Sequence, residues 1–209
     1  MNLQEIYDKL FEKYGEQKWW PIINDCKDEN KKKFEIIVGA ILTQNTSWKN
    51  VEKAIKNLYE SNLLDAKKIL KEEDKRIAEL IKPAGYYNQK SKKLKAAAEF
   101  FLTLNRKIPT REALLNLWGV GKETADSILL YAYNEPFFVV DAYTKRIFSC
   151  IGNELNFVEY DEWQKFFHEN LPNDPRLFNE FHALIVEHCK RICLKNKKMC
   201  KDCFFNAIS

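Results

Sequence analysis

Gly119 and Gly121 enclose a single valine between two stretches of helical periodicity, and this turn could bind a phosphate group. The first stretch ends in a leucine run at Leu117, and the second covers residues 122–133 with its apolar residues on one face. Two glycines in such a turn suit positive φ or the close approach of another backbone. The N–H groups at the start of the second helix would then face outward and could bind a phosphodiester. An ordinary αα-hairpin inside a helical domain predicts the same pattern.

Asp141 stands between an apolar segment, residues 136–140, and a stretch with helical periodicity that runs to about Ile151. An aspartate in this place predicts an N-cap, in which the helix end fixes the side chain and keeps it ionised. Such a carboxylate can stabilise a neighbouring positive charge and can orient or deprotonate a water molecule. Asp141 is therefore both a predicted cap and the candidate catalytic residue.

Six cysteines are present, and four of them crowd near the C-terminus. In a chain predicted to be cytoplasmic, this argues against a disulfide framework and for a metal or reactive thiols. Cys26 and Cys150 stand apart and are predicted to be buried thiols. The clustered cysteines are Cys189, Cys193, Cys200 and Cys203.

The hairpin and Asp141 together resemble a known family. The chain is similar to the helix-hairpin-helix (HhH-GPD) DNA glycosylases, specifically to the endonuclease III family, whose pattern is L-x-G-V-G-x-x-T-A followed by V-D at the mouth of a base pocket. The resemblance covers about residues 15–205. It implies base excision repair, in which the N-glycosidic bond of a damaged, flipped base is hydrolysed with Asp141 beside the cationic sugar. The matching residues are Leu117, Gly119, Val120, Gly121, Thr124, Ala125, Val140 and Asp141.

An all-α fold is predicted, because helical periodicity recurs at short spacing without an alternating strand pattern of useful length. The apolar run over residues 34–43 predicts a buried helix. The resemblance implies two helical domains with a DNA-binding cleft between them. One is a six-helix barrel domain over residues 25–135, with the helix-hairpin-helix at about 112–133. The other combines the N- and C-terminal helices, residues 1–24 and 136–209, and carries the cysteine cluster.

Three residues near turns are predicted to contact DNA in addition to the hairpin glycines. In the family, a glutamine after the buried helix fills the gap left by the flipped nucleotide, and Gln44 stands in that place. The alternative is polar helix-end chemistry, in which its neighbours cap the next helix. Tyr86 stands where family members push a side chain into the opposite strand. Lys122 is predicted to face phosphate or solvent.

Two clusters of basic residues are further candidates for phosphate contact, although each is also typical of a solvated helix face. The net charge of +4 permits binding to nucleic acid without indicating it. The first cluster is Lys90, Lys92, Lys93 and Lys95, and the second is Lys190, Arg191, Lys195, Lys197, Lys198 and Lys201.

Bifunctional family members carry a lysine in the pattern G-V-G-x-K-T-A, whose amine forms a Schiff base with the sugar. Here that position holds Glu123, and Lys122 stands one residue earlier, about 100° around the helix. Lyase activity is therefore predicted to be absent or weak. Glu123 is predicted to lie near the base pocket, where its charge or a hydrogen bond would favour a cationic base.

The base pocket is predicted to be aromatic. Trp19 and Trp20 precede a proline, and the 3-methyladenine-specific branch of the family carries a Trp-rich segment there; core packing is the alternative for each ring. Adenine-mismatch glycosylases protonate the base with a glutamate one turn before the wedge glutamine, but residues 38–41 contain no acid. A cationic base such as 3-methyladenine needs no such acid. It is attracted by electron-rich rings, with Phe34 and Trp48 as further candidates.

The leading hypothesis is a monofunctional DNA glycosylase for alkylated purines. The second is a glycosylase for another lesion or for an adenine or thymine mismatch, or an endonuclease III-like glycosylase and lyase with a displaced lysine. The third is a non-catalytic DNA-binding module, and the presence of Asp141 with Gln44 and Tyr86 argues against it.

The family's cluster loop, C-x6-C-x2-C-x5-C, implies a [4Fe-4S] cluster. Cys193, Cys200 and Cys203 match its first three positions, but Ser209 occupies the fourth. Cys189, one turn before Cys193, is the candidate for the missing ligand. Zinc in a tetrahedral thiolate site and the absence of any metal are the alternatives.

No apolar run approaches the ~20 residues that a membrane-spanning helix needs. The first residues predict an amphipathic helix rather than a signal peptide. The chain is therefore expected to be a cytoplasmic, DNA-associated monomer that binds damaged double-stranded DNA and no membrane.

Overall fold

The structure is a computed structural model that describes residues 2–23, 27–151, 155, 157–194, 203 and 205. As predicted, the described part of the chain is almost entirely helical and contains no β-strand. None of its helices combines the length and apolar character that crossing a membrane requires. The chain divides into two compact units, Trp20–Tyr133 and Met1–Trp19 with Asn134–Ser209.

Within the described residues, the chain forms α-helices and one short 3-10 helix, Lys82–Ala84. In chain order the α-helices are α1 (Leu3–Tyr14), α2 (Glu29–Leu42), α3 (Trp48–Glu60), α4 (Ala66–Lys71), α5 (Asp74–Leu80), α6 (Tyr87–Thr103), α7 (Arg111–Leu115), α8 (Lys122–Tyr133), α9 (Ala142–Ile151), α10 (Tyr160–Asn170) and α11 (Pro175–Arg191).

The central element of the unit Trp20–Tyr133 is α2, which is buried from Phe34 to Leu42 and packs against α3, α6 and α8. It begins five residues before the predicted start at Phe34. The Asp28 side chain caps it by accepting the N–H of Asn30, and its first turn is polar. An apolar run therefore marks only the buried part of a helix whose first turn faces water.

The core of the other unit is a cluster of phenylalanines. Phe138 stacks on Phe167 with the ring centroids 3.9 Å apart, and it meets Phe178 and Phe181 edge-on. Phe138 belongs to an extended segment before Asp141, of which residues 138–140 are buried. Stacked and edge-on aromatic pairs stabilise a core beyond the area they bury.

Helix α10 provides hydrogen-bond partners for this buried segment. The amide of Gln164 donates to the Phe138 carbonyl at 2.8 Å, and the Phe138 N–H donates to His168 at 3.0 Å. The Val140 N–H donates to the Tyr160 hydroxyl at 3.4 Å. Because buried backbone groups must be paired, these side chains hold the extended chain that leads to Asp141.

Candidate functional site

Asp141 caps α9, as predicted. Its Oδ1 accepts the backbone N–H groups of Tyr143 at 2.9 Å and Thr144 at 2.8 Å, and the Thr144 hydroxyl at 3.1 Å. The carboxylate is therefore fixed by three donors at the positive end of a helix.

The second carboxylate oxygen of Asp141 faces a histidine that the sequence analysis missed. His182 on α11 is 8% exposed, and its Nε2 lies 3.5 Å from Asp141 Oδ2. Burial alone would raise the pKa of Asp141, but the charge and hydrogen bonding of His182, and then the bonds from Thr144, bring that pKa below its ordinary value. Asp141 is thus held ionised although its side chain is only 14% exposed.

The glycine hairpin joins α7 to α8, and its two glycines differ. Gly119 has a φ of 80°, and a Cβ placed there would lie 2.4 Å from Cε of Lys93. Gly121 is exposed, and a Cβ placed on it would meet nothing within 4 Å. Only Gly119 is therefore required by the fold. A bidentate ion pair between Arg111 and the fully buried Asp126 ties the two helices together at 2.7 and 3.0 Å.

Gln44 is docked onto the hairpin. Its amide nitrogen donates to the Gly119 carbonyl and to the Thr124 hydroxyl, both at 3.0 Å. Its Oε1 accepts a bond from the Lys93 ammonium at 2.7 Å. The structure thus brings together two elements predicted to contact DNA, the glutamine and the hairpin.

Tyr86 and Trp118 are among the exposed aromatic side chains of this unit. Tyr86 is 66% exposed and precedes α6 with a φ of 46°, which is uncommon for a bulky residue. Trp118, beside Gly119, is 58% exposed and was not singled out from the sequence. Its position next to a hairpin glycine is the sequence feature that could have identified it as a candidate site residue.

The first basic cluster is not the surface patch that was predicted. Lys90 is 2% exposed and bonds backbone carbonyls, and Lys95 pairs with Asp74 at 2.7 Å. Lys92 remains exposed. In the second cluster Lys190 and Arg191 are exposed, and Arg191 pairs with Glu187. Its other members, Lys195, Lys197, Lys198 and Lys201, lie outside the described residues.

Trp20 packs against aromatic rings of α3 and α8 and against Gly39 of α2. Its ring centroid is 5.0 Å from that of Trp48 and 5.1 Å from that of Tyr131. A Cβ placed on Gly39 would lie 2.6 Å from Cζ2 of Trp20, so the indole occupies the space where a side chain would stand. Trp19 is half-buried, and the division between the two compact units falls between the two tryptophans.

Phe34 is not available as a stacking surface, contrary to the prediction. It is 2% exposed and packs on Phe101 at 5.4 Å between centroids. The next residue on the helix is a buried acid that was not singled out from the sequence. Glu35 is fully buried and accepts the Ile23 N–H at 2.5 Å. Glu35 and Gly39 are four residues apart and share one face of α2.

The two residues that bear on lyase chemistry begin α8. Lys122 is its first residue and is half-buried, whereas Glu123 is exposed in the first turn. An acid in the first turn is favourable beside the helix dipole. The pocket role predicted for Glu123 stays a prediction.

The cysteines of the described residues occupy different surroundings. The buried Cys189 thiol contacts the Tyr143 carbonyl at 3.6 Å, and burial, with Cys193 nearby, raises its pKa well above the usual value. Cys203 Sγ lies 3.5 Å from Nε2 of His188, whose Nδ1 is 2.9 Å from the Tyr14 hydroxyl. Burial lowers the pKa of His188 to about 4.

No three metal-binding side chains come together in the part of the chain that is described, and Cys200 lies outside it. A complete ligand set is therefore not assembled from the described residues, although thiols suit iron or zinc. The prediction of two buried isolated thiols is wrong for Cys150, which is exposed at the end of α9. Cys26 lies outside the described residues.

Comparison with known families agrees with this geometry. The profile of the HhH-GPD superfamily of base excision DNA repair proteins matches residues 38–173, which include the end of α2, the hairpin, Asp141 and α10. The chain belongs to this superfamily. The HhH-GPD assignment confirms the resemblance seen in the hairpin and identifies a DNA glycosylase of base excision repair.

Individual relatives of this HhH-GPD protein cover most of its length. A Methanocaldococcus jannaschii protein, whose name assigns it to the DNA repair glycosylases, is 47% identical over 212 residues, covering 96% of this chain and 92% of that one. Endonuclease III of Thermotoga maritima is 29% identical over 176 residues, covering 82% and 79%.

Two solved structures show the same fold. The 3-methyladenine DNA glycosylase of H. pylori, bound to 1,N6-ethenoadenine, superposes with a TM-score of 0.76 at 32% identity, covering 91% of this chain and 98% of that one. A trapped covalent complex of endonuclease III with DNA superposes with a TM-score of 0.83 at 18% identity, covering 98% and 94%. The second likeness concerns the fold alone.

Proposed function

We propose that this glycosylase hydrolyses the N-glycosidic bond of an alkylated purine, such as 3-methyladenine, flipped out of double-stranded DNA, without efficient cleavage of the strand. The observation that carries the proposal is the Trp20 indole lying against Gly39 on α2. A glycosylase that protonates its base needs an acid on this turn, and here an aromatic ring fills the space. The 32% identity to the H. pylori 3-methyladenine glycosylase supports the same class of substrate.

Asp141 is the proposed catalytic residue. When the bond between C1′ and the base breaks, positive charge develops on the sugar, and a fixed carboxylate stabilises it without reorganising. The three donors on Oδ1 and the nearby His182 keep Asp141 oriented and ionised. The same carboxylate can orient the water that adds to C1′ and can accept its proton.

The leaving base determines how much acid catalysis is needed. A 3-methylated adenine in DNA already carries a positive charge, so it departs as a neutral base when the bonding electrons move onto it. Recognition then matters more than protonation, and an electron-rich indole attracts a cation through its ring face. Trp20 is the proposed main contact, and Trp19 and Glu123 are proposed to line the same pocket.

Double-stranded DNA is the proposed partner, held by the hairpin and two wedge residues. The open space over Gly121 allows a phosphate to approach the backbone, with Lys122 beside it. Tyr86 is already exposed, and it is proposed to enter the strand opposite the flipped base. Gln44 is proposed to fill the gap in the duplex, which requires it to release its three hydrogen bonds.

The absence of efficient lyase activity is proposed from the start of α8. A Schiff base requires a lysine amine that reaches C1′. Glu123 occupies the position at which bifunctional relatives carry that lysine, and Lys122 points about 100° away from it.

A second candidate function, the removal of adenine from a mismatch, is favoured by Glu35. This fully buried acid lies on the same face of α2 as Gly39, and a neutral mismatched adenine would need an acid of this kind. Glu35 is nine residues before Gln44, about 13 Å along the helix, whereas the family's acid is one turn away. Its oxygen also bonds the Ile23 N–H, which supports a role in holding the segment that carries Trp20.

A [4Fe-4S] cluster bound by Cys189, Cys193, Cys200 and Cys203 is proposed as a structural cofactor, with zinc as the alternative. Four thiolates are the ligands that both prefer. When bound, the metal would organise the lysine-rich segment between Cys193 and Cys203, which is proposed to face the phosphate backbone. No step of base release passes through it.

A panel of duplexes with single lesions tests the proposal. Purified protein is incubated with 3-methyladenine, 7-methylguanine, adenine opposite 8-oxoguanine, thymine opposite guanine, or oxidised pyrimidine, and the released base is measured. We expect rapid release of the methylated purines and no adduct trapped by borohydride. If the protein releases only adenine or thymine from mismatches, and Glu35→Gln abolishes that release, the substrate is a mismatched base and not an alkylated purine. An efficient trap abolished by Lys122→Ala would establish the bifunctional alternative.

A further inference from the structure

Lys90 on α6 is almost completely buried, with 2% of its surface exposed. Its ammonium donates three short hydrogen bonds, and all three acceptors are backbone carbonyl oxygens. They are those of Leu42 at 2.8 Å, Gln44 at 2.7 Å and Ala84 at 2.8 Å. An ammonium has three donors, so its hydrogen-bonding capacity is fully used.

The three carbonyls lie at or just beyond the ends of two helices. Leu42 is the last residue of α2 and Ala84 is the last residue of the 3-10 helix, so their carbonyls have no partner within their own helices. These ends also carry partial negative charge, which favours a cation. Burial, and then the nearby Lys93, lower the pKa of Lys90 to about 8. One ammonium therefore caps both helix ends at once.

The two capped ends lead into the two predicted wedge residues. Gln44 lies two residues after the end of α2, and Tyr86 follows Ala84 by two residues. Lys93, one turn further along α6, reinforces the arrangement from the other side. Its ammonium bonds Gln44 Oε1, and its aliphatic stem lies against Gly119 of the hairpin.

We propose that Lys90 is a positioning residue that holds the loops of Gln44 and Tyr86 in one fixed relation, so that both side chains meet the duplex together. The inference rests on the proposed contact of these two residues with DNA. Lys90 then does not contact phosphate, and it acts in base flipping by positioning the two wedge residues. Without the ammonium, three carbonyls lose this donor, two of them in buried bonds, and the two loops are no longer tied to each other.

The experiment uses Lys90→Met, which keeps the length of the side chain and removes its donors. Leu94→Ala is the matched control, because Leu94 is fully buried on the same helix and lowers stability without touching either loop bond. For each folded variant, affinity is measured for a duplex with a stable abasic-site analogue and for an undamaged duplex. The ratio of the two affinities reports specific engagement and requires no base release. The fluorescence of 2-aminopurine beside the lesion reports unstacking.

We expect Lys90→Met to lower the affinity ratio by about tenfold or more and to reduce the fluorescence change. Leu94→Ala, with an equal loss of melting temperature, should keep the affinity ratio and the fluorescence change of the wild type. In a background of Gln44→Ala with Tyr86→Ala, the further effect of Lys90→Met should nearly vanish, because residues that act through one another are not additive. If Lys90→Met does not fold, Lys90→Arg, which retains the charge but not the geometry, should show a smaller loss of the same kind.

Two results would overturn parts of this account separately. Full discrimination by the Gln44→Ala, Tyr86→Ala protein would show that these residues are not the wedge, and the proposed function would lose its DNA contacts. A second result concerns Lys90 itself. If the double variant fails to discriminate but folded Lys90→Met and Lys90→Arg behave like Leu94→Ala, Lys90 has only a structural role. The same conclusion follows if the effect of Lys90→Met on the affinity ratio adds fully to that of the double variant.

Discussion

His182 Nε2 lies 3.5 Å from Asp141 Oδ2, while the other oxygen of this carboxylate caps α9. The two residues are far apart in sequence and meet in a buried place, where an isolated carboxylate would tend to take up a proton. His182 therefore offsets the effect of burial on Asp141. Tyr143 and Cys189 are further titratable groups that interact electrostatically with Asp141.

Replacing His182 by Gln should raise the pKa of Asp141, because burial then outweighs the remaining hydrogen bonds. A carboxyl with a depressed folded-state pKa adds stability above its unfolded pKa and loses it as the pH falls through the folded value. As the pH falls, the variant should therefore lose both this stability and base release at a higher pH than the wild type does. If the pKa of Asp141 rises by about one, the rate on the acid side falls by up to about tenfold.

Single-turnover rates between about pH 4 and pH 8 measure the effect of His182. His168→Gln is the control, because His168 bonds the Phe138 backbone and should lower stability without moving the acid limb. An unchanged acid limb in His182→Gln would mean that the histidine does not act through Asp141.

The two hairpin glycines should respond differently to alanine. Gly119→Ala should destabilise the protein by about 1–2 kcal/mol, because its φ is 80° and Lys93 fills the space beside it. Gly121→Ala should change the free energy of unfolding by less than about 0.5 kcal/mol. It should nevertheless weaken duplex affinity if a phosphate approaches there. Melting curves and DNA titrations separate the two effects, and wild-type affinity in Gly121→Ala would remove the phosphate from this position.

Trp20→Ala should lower kcat/KM for 3-methyladenine by about 1–3 kcal/mol, the usual cost of one lost base stack. The loss should be larger for cationic than for neutral lesions. Trp163→Phe is the control, since Trp163 is 2% exposed in the core of the other unit and should affect all substrates alike. Equal losses on every lesion in Trp20→Ala would assign Trp20 to packing alone.

Protein purified without oxygen should be yellow-brown, with absorbance near ~400 nm from thiolate-bound iron. Cys189→Ser and Cys193→Ser should both lose the metal, as measured by metal analysis. Colourless protein with one zinc per chain would replace the cluster by a zinc site. Metal retained in Cys189→Ser but lost in His188→Gln would give the fourth position to His188, which lies 3.5 Å from Cys203.

Local patterns predicted the parts of the site that depend on neighbours in sequence. The glycine hairpin and the apolar period defined α8, which runs from Lys122 to Tyr133 as expected. The position of Asp141 before a helix predicted its capping bonds. Both features arise within a few residues, where backbone geometry and capping chemistry decide the structure.

The features that the sequence did not reveal depend on distant contacts. Lys90 belongs to a lysine-rich stretch typical of a solvated face, and only the carbonyls of two other segments make its burial favourable. The indole of Trp20 lies against Gly39, and no sequence spacing predicts a contact between these two residues. His182 is one of two histidines on the amphipathic helix α11, and nothing local distinguishes it from a core residue.

Base release by Asp141→Asn is the most direct test of the proposed reaction. The amide keeps the shape of the side chain but removes the charge that stabilises the cationic sugar, so the effect falls on the transition state more than on binding. Under single-turnover conditions with a 3-methyladenine duplex, we expect no detectable release, with duplex affinity within about tenfold of wild type. Release at the wild-type rate would contradict the assignment of Asp141 as the catalytic residue.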